Sequence, residues 1–217
     1  MHLHDRFAEF LSASEIIEAT PALLNDQRRR FVSSPDIVLQ PNSVESVQKI
    51  MRFCFENRIR VTPQGGNTGL CGATVTAEGV LLNLSKLNRI RDINLADNSM
   101  TVEAGVILQN AQKAADKAGR LFPLSLASEG SCQIGGNIAC NAGGLNVLRY
   151  GSMRDLVLGL EVVLPNGELI SHLQPLHKNT TGYDLRHLFI GSEGTLGIIT
   201  AATLKLFAQP KTKATAW

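Results

Sequence analysis

The apolar positions of this chain follow two periods, and the switch between them marks out the elements. Ile37-Val38-Leu39 is a short continuous apolar run closed by Pro41, which reads as a strand. Asn42 then opens a helix, with Glu45 three residues on completing a capping box. Val44, Val47, Ile50, Met51 and Cys54 recur at helical spacing, so one face of that helix packs on a sheet. Ile59-Arg60-Val61-Thr62 is the next strand, and it runs into a glycine-rich loop. Strand, helix, strand and loop make a small α/β unit. Residues 3–30 precede it as one or two short helices interrupted at Pro21.

Beyond the loop, Val80 to Leu84 and Met100 to Ala104 are strand candidates. Leu108 to Ala118 is Ala-rich and helical, and Gly119 sits where a helix C-terminal glycine belongs. Leu158 to Leu164 and Glu168 to Ile170 flank Pro165-Asn166-Gly167, a hairpin signal that expects positive φ at both Asn166 and Gly167. Ile198 to Phe207 is a final strand, and there is no internal repeat. Hairpins mixed with occasional helices give an α+β fold rather than a regular doubly wound sheet. After Pro210, residues 211–217 run from polar to apolar and read as the start of a further domain cut short.

Composition narrows the function classes. With 217 residues, 44% of them apolar and 18% charged, the chain builds a core and is no disordered segment. Net charge is +2, and the short run Gln27-Arg28-Arg29-Arg30 reads as a solvated surface patch. Two Tyr and one Trp offer few stacking platforms, which argues against a nucleic-acid partner. The four cysteines, Cys54, Cys71, Cys132 and Cys140, form no C-x-x-C pair and lie at no zinc spacing from a histidine. Reduced thiols in a cytoplasmic setting are expected, with no metal. No apolar stretch approaches the roughly 20 residues of a membrane span, and Met1 to Arg6 lacks the order of a signal peptide.

Chemistry concentrates in glycine-rich tracts. The first is Pro63-Gln64-Gly65-Gly66-Asn67-Thr68-Gly69-Leu70, delivered by a strand. Glycines let successive backbone N–H groups converge on an anion, and Asn67 and Thr68 add side-chain hydrogen bonds. The same loop reads equally well as a tight surface turn. It matches neither G-x-G-x-x-G nor G-x-x-x-x-G-K-[ST]. The second tract runs Ala127-Ser128-Glu129-Gly130-Ser131-Cys132-Gln133-Ile134-Gly135-Gly136-Asn137, then Ile138-Ala139, then Cys140-Asn141-Ala142-Gly143-Gly144. With few large side chains it supplies no core of its own, and it is expected to lie against a large flat ligand such as a flavin. Packing of glycine loops on one another is the alternative. The third tract, Glu193-Gly194-Thr195-Leu196-Gly197-Ile198-Ile199, opens the last strand. Three separated tracts suggest one extended ligand gripped at several points.

The segments PQGGNTGL, GSCQIGGNIACNAGG, LRYGSMRDLVLGLEVVLPNGE and NTTGYDLRHLFIGSEGTLGIIT resemble the FAD-binding domain of the vanillyl-alcohol-oxidase-type (PCMH-type) flavoproteins. Within that superfamily the likeness is to the D-2-hydroxyglutarate dehydrogenases, D-lactate dehydrogenases and glycolate oxidase flavin subunits. It covers about residues 32–210, with two α/β subdomains near 32–90 and 91–210, after an N-terminal helical segment 1–31. The resemblance implies that Pro63 to Leu70 wrap the FAD pyrophosphate and that Ala127 to Gln133 and Cys140 to Gly143 line the flavin. Ile134-Gly135-Gly136 make a close turn between them, leading into Asn137, and Glu193 to Ile199 complete the site. Asn179 to Asp184 resembles a supporting segment near it. Asn67-Thr68 stands where some relatives carry a flavin-linked histidine, which implies non-covalent FAD.

In such proteins a 2-hydroxyacid gives its α-hydrogen to the flavin, and the groups that hold its carboxylate and take its proton come mainly from a C-terminal cap domain. This chain is expected to lack that cap, and to tend to self-association through the face left uncovered. His172, His177 and His187 earn no catalytic assignment, and the electron acceptor is left open.

Overall fold

The computed structural model describes residues 2–212 and 214 of the chain; Met1, Lys213 and residues 215–217 lie outside the described residues, and with them most of the tail read as the start of another domain. Two sheets carry the fold. The first is built from β1 (Ile16–Ile17), β2 (Ile37–Leu39), β3 (Val61–Gln64) and β4 (Val80–Asn83), in the order β1-β2-β4-β3. β2, β4 and β3 are parallel, and β1 joins antiparallel to β2. The central β4 is buried along its whole length, as a covered parallel strand must be. Helices α1 (Leu3–Ala8), α2 (Pro21–Leu24) and α3 (Val44–Glu56) belong to this half.

The apolar face of α3 is the one its spacing predicts: Val47, Ile50, Met51 and Cys54 are buried against Leu39, Val80 and Leu82. Each such side chain withdrawn from water stabilises the fold by about 1.5–3 kcal/mol. The start of the helix differs from the sequence expectation. Ser43 is the cap and accepts from the Ser46 N–H at 3.1 Å, while the Asn42 N–H donates to Glu15 Oε1 at 3.1 Å and Glu45 is exposed. A carboxylate 27 residues upstream has taken the place of the local partner. The leading segment forms two short helices, α1 and α2, as expected, but it also contributes β1, Phe7 and Leu11 to the first half, and Pro21 opens α2 rather than interrupting a helix.

The second sheet is antiparallel, in the order β5-β6-β10-β8-β9: β5 (Ile90–Asn94), β6 (Ser99–Glu103), β8 (Val157–Val163), β9 (Leu169–His172) and β10 (Ile198–Lys205). A two-stranded piece pairs β7 (Arg120–Leu121) with β11 (Phe207–Ala208). Helices α4 (Leu108–Lys117), α5 (Ile134–Ala139), α6 (Val147–Tyr150), α7 (Met153–Leu156) and α8 (Arg186–Phe189) complete the chain, and residues from α4, α5, α7 and α8 enter the second core. α4 ends as expected, with Gly119 at φ 69°. The β8–β9 hairpin also forms, but only Gly167 is left-handed, at φ 83°. Pro165 and Asn166 fill the middle of a turn closed by Gly167 N–H to Leu164 O at 2.9 Å, so Asn166 needs no positive φ.

The other face of this sheet carries buried charge. Glu103, 1% exposed, accepts from Arg89 Nε, Nη2 and the Arg89 backbone N–H at 2.9–3.0 Å, and from Arg91 Nε at 3.3 Å. Arg91 also donates to both oxygens of Glu161, whose Oε1 accepts from Thr200 Oγ1 at 3.0 Å. Burial disfavours the Glu103 carboxylate, yet the hydrogen bonds and charge of Arg89, with the charge of Arg91, hold its pKa below the ordinary value. These pairs cross-link β5, β6, β8 and β10.

The sheets meet where Val163 and Ile198, at the ends of β8 and β10, enter the first core. Next to that junction β10 is irregular: Ile199 faces Val162 and Ala201 faces Glu161, leaving Thr200 as an extra residue. Such a bulge re-aims the strand end, and it does so beside the glycine tracts.

Candidate functional site

A cleft lies at this junction, and the glycine tracts converge on it. Its walls are Pro63, Gln64 and Gly65 from the end of β3, Gly135 and Gly136 in α5, and Glu193, Gly194, Gly197, Ile198 and Ile199 leading into β10. Ala73, Thr74, Leu84, Ala104 and Ala139 complete it. None of these five was selected from sequence. Ala73 and Thr74 continue the first loop and could have been included on that ground; Leu84 and Ala104 directly follow β4 and β6 and carry no local signal.

Backbone bonds hold the tracts together. Gly191 and Glu193 N–H donate to Ile138 O and Ala139 O at 3.1 and 3.0 Å, and Gly135 N–H donates to Ala104 O at 2.7 Å. Each tract also contains a non-glycine residue in the left-handed region: Asn67 at φ 51°, Asn141 at φ 48° and Glu193 at φ 52°. Such backbone costs on the order of 1 kcal/mol or more per residue and clusters where function demands a particular path.

The glycines divide into two groups. A Cβ on Gly66 would collide with the Ser131 carbonyl, and one on Gly194 with the Pro63 ring, so these two let tract pack on tract. Gly135 is of the same kind, with Ala104 Cβ 2.7 Å from its hypothetical Cβ. Gly136, by contrast, faces open space within the cleft lining. The packing and ligand readings of the glycines are thus both realised, at different residues.

Side chains divide in the same way. Gln64 turns inward, donating to Leu23 O at 2.9 Å and accepting from Asn83 Nδ2 at 3.1 Å, so only its backbone serves the cleft. Asn67 donates to Ala22 O and Asn25 O and accepts from Thr74, anchoring the loop to the leading segment. Thr68, Gly69 and Leu70 lie beyond the lining, and Leu70 is exposed. Residues Ala127 to Ser131 form the turn over the start of α4, where Leu108 and Gln109 N–H donate to Cys132 O and Glu129 O at 2.9 Å. Cys132, Ile134 and Ile138 are buried in the second core, and Ile134-Gly135-Gly136 begin helix α5 rather than a close turn. The second tract joins the core that other elements build, because its two isoleucines share one helical face. Cys140 to Gly143, Thr195 and Leu196 flank the cleft without lining it.

Arg154 ties this rim. Its guanidinium donates to His187 O at 2.9 Å and Ile190 O at 2.5 Å, and its N–H to Asn141 Oδ1 at 2.9 Å. His187 sits between Arg154 and Asp184, His177 binds Asp97 O, and His172 is exposed. Asn179 to Asp184 is an exposed stretch; most of it lines a second cavity of about 380 Å³ beside β8, away from the glycine cleft.

Comparison with known proteins places the chain in a family. The FAD binding domain family matches residues 35–172. The chain belongs to that family. This FAD-binding chain is 42% identical to the D-2-hydroxyglutarate–pyruvate transhydrogenase of Saccharomyces cerevisiae, over 94% of the chain and 42% of that protein. It is 48% identical to the D-2-hydroxyglutarate dehydrogenase of Xanthomonas citri pv. viticola, over 85% of the chain and 39% of that protein. The mitochondrial D-2-hydroxyglutarate dehydrogenase of Danio rerio is 45% identical over 86% of the chain and 35% of its own length. The chain thus spans about two-fifths of these relatives. An alkyldihydroxyacetonephosphate synthase structure superposes with a TM-score of 0.83 at 20% identity, over 96% of this chain and 39% of that one, and shares the fold.

The residues present fit FAD. Gln133 Oε1 and Asn137 Nδ2 are buried without a hydrogen-bond partner, a costly state for polar atoms that a polar ligand relieves. Gln133 Oε1 lies 3.3 Å from the hypothetical Cβ of Gly65, at the edge of the cleft. Glycine and alanine dominate the walls, so backbone approaches a flat ligand closely. Among the described residues no group of three or more His, Cys, Asp or Glu could hold a metal, and no helix is long and apolar enough to cross a membrane.

Proposed function

We propose that this chain is the FAD-holding part of a flavin-dependent D-2-hydroxyacid dehydrogenase, with the groups that bind and deprotonate the hydroxyacid supplied outside the cleft. One observation carries the reading: the cleft gathers the glycine tracts and, among the described residues, is lined by no Arg, Lys or His, with Glu193 as the one titratable residue. A 2-hydroxyacid carboxylate calls for a cation and its hydroxyl for a base. The walls suit a cofactor and lack both.

The backbone of Pro63 to Gly65 and the first turn of α5 would hold the pyrophosphate and the edge of the ring, with Gln133 and Asn137 giving hydrogen bonds. Arg154 ties the second tract to the segment that leads into the third. Ile198 and Ile199 offer an apolar wall that excludes water. FAD, when bound, supplies the two-electron acceptor for the substrate α-hydrogen. Binding is read as non-covalent, since among the described residues no cysteine or histidine lines the cleft. The exposed Leu145, Leu148 and Tyr183 (87%, 100% and 95% accessible) near the later tracts support self-association of the isolated chain. A cytoplasmic setting remains part of the reading, on the four free thiols.

The test is an absorption spectrum of the purified chain after incubation with FAD and desalting, followed by acid denaturation and assay with D-2-hydroxyglutarate, D-lactate and glycolate. Retained flavin, released on denaturation, with no turnover by the isolated chain is the expected result. Folded protein that retains no flavin refutes the cofactor site. Turnover by the chain alone refutes the claim that the substrate groups lie elsewhere.

A further inference from the structure

The first glycine loop is tied along its length to the segment that leads into the fold. Gln64 Nε2 donates to Leu23 O at 2.9 Å, and Asn67 Nδ2 donates to Ala22 O at 3.1 Å and Asn25 O at 2.7 Å. Thr74 Oγ1 donates to Asn67 Oδ1 at 2.9 Å, drawing the far side of the loop onto the same amide. Just beyond it, Thr76 N–H donates to Ser33 Oγ at 3.2 Å and Ser34 N–H to Thr76 O at 2.7 Å. Between these ties, a Cβ on Gly72 would come within 3.2 Å of the Phe31 ring. Residues 21–34 therefore hold the loop at both ends and in the middle.

Side chains do the holding, and the backbone is left free. Among the described residues no N–H from Gly65 to Thr74 donates to another backbone group. Successive N–H groups without partners suit an anionic ligand such as a pyrophosphate. Fixing their shape before the ligand arrives lowers the ordering cost of binding. We infer that residues 21–34 are a clasp that preforms the first glycine loop for its ligand, with Asn67 as the positioning residue through which it acts. That the ligand is FAD rests on the function proposed above; that the clasp shapes the loop does not.

The clasp has a brace of its own. After α2 the chain doubles back: Ser33 N–H donates to Leu24 O at 2.8 Å, Asp26 N–H to Phe31 O at 3.1 Å, and Asn25 pairs with Val32. Within that turn the Asp26 carboxylate accepts from the N–H groups of Arg28, Arg30 and Phe31 at 3.2, 2.6 and 2.7 Å. Asp26 is buried and does not line the cleft, and these carboxylate bonds all lie inside the turn. Its effect on the loop is indirect: it fixes the turn that presents the Leu23 and Asn25 carbonyls. Asn67 meets those carbonyls from left-handed backbone at φ 51°, a conformation that Asn and Asp tolerate better than other side chains. Loosening the brace should let the loop leave that shape while every group that meets the ligand stays chemically the same.

The experiment compares the parent with Asp26→Ala, which removes the brace, and Asn67→Asp, which keeps size and backbone tolerance but cannot donate. FAD titration, stopped-flow association and hydrogen exchange of the flavin-free chain are read for each. Either variant should raise the FAD dissociation constant at least tenfold. The parent's association rate should rise linearly with FAD, whereas that of Asp26→Ala should level off, because re-forming the loop becomes limiting. The double variant should bind within about twofold of the weaker single variant, since both release one clasp. Asp26→Asn, whose amide oxygen still accepts from Arg30 and Phe31, should recover most of the affinity. Exchange at the Ser34 and Thr76 amides should quicken at least tenfold in flavin-free Asp26→Ala. Quickened exchange with FAD affinity within twofold of the parent refutes the clasp. Weakening by Asn67→Asp alone assigns Asn67 a direct ligand contact and refutes it equally. Folded parent that never retains FAD refutes the cofactor site instead, and the exchange rates still decide whether Asp26 closes the clasp.

Discussion

Gly136→Ala should make the protein more stable and a poorer binder of FAD. Gly136 is in helix α5, and a Cβ there meets no atom within 4 Å. Alanine therefore costs no packing and restricts the unfolded chain, a gain of about 0.5–1 kcal/mol. For a chain of this size each kcal/mol moves Tm by about 2–4 °C, so the flavin-free variant should melt about 1–4 °C higher. The new methyl, however, stands where Gly136 lines the cleft. Crowding a close-packed contact costs about 1–3 kcal/mol, which raises the FAD dissociation constant about 5- to 150-fold. Thermal melts of the flavin-free protein and an FAD titration followed by flavin fluorescence read the two effects separately. Gly66→Ala is the control of opposite kind: its Cβ would overlap the Ser131 carbonyl, so stability should fall by about 1–3 kcal/mol. A Gly136→Ala protein that is stabilised and binds FAD within twofold of the parent would show that the ligand does not approach this wall. A lowered Tm would show that the space beside Gly136 is not free.

Arg154→Met should weaken FAD binding by tenfold or more and leave the far-ultraviolet spectrum unchanged, because the guanidinium bridges the His187 and Ile190 carbonyls at the rim. Arg154→Lys, with a single point of charge in place of a planar fork, should recover less than half of the loss in binding free energy; full recovery would rule out the bridging role. Acid should destabilise the protein through Glu103. Its folded pKa is depressed below the ordinary 4.5, so the stabilisation is complete above about that pH and is lost as pH falls through the folded value. Glu103→Gln should lower Tm at pH 7 and flatten the fall between pH 5 and 3; an equally steep fall in the variant would assign the acid limb to other groups, such as Glu15, also held below its ordinary value.

What was legible in the sequence was what short-range physics sets. The face of α3, the Gly119 stop and the β8–β9 hairpin follow from side-chain period and turn chemistry within a few residues. The glycine tracts announced a ligand because so many small residues in fixed order have few other uses, and their likeness to the FAD-binding family named it. β5 was missed because Ile90 to Asn94 is mostly polar and exposed, and only pairing with β6 makes it a strand. Tertiary structure alone decided the rest. Gly66 and Gly136 are the same residue type in the same kind of tract, yet one accommodates Ser131 and the other faces the cleft. Gln64 and Asn67 spend their amides on Leu23 and Asn25, some 40 residues away. The Arg91–Glu161 pair likewise joins distant positions. A sequence fixes which atoms are available over a turn of chain; which of them meet across tens of residues is settled by the packing of the two sheets.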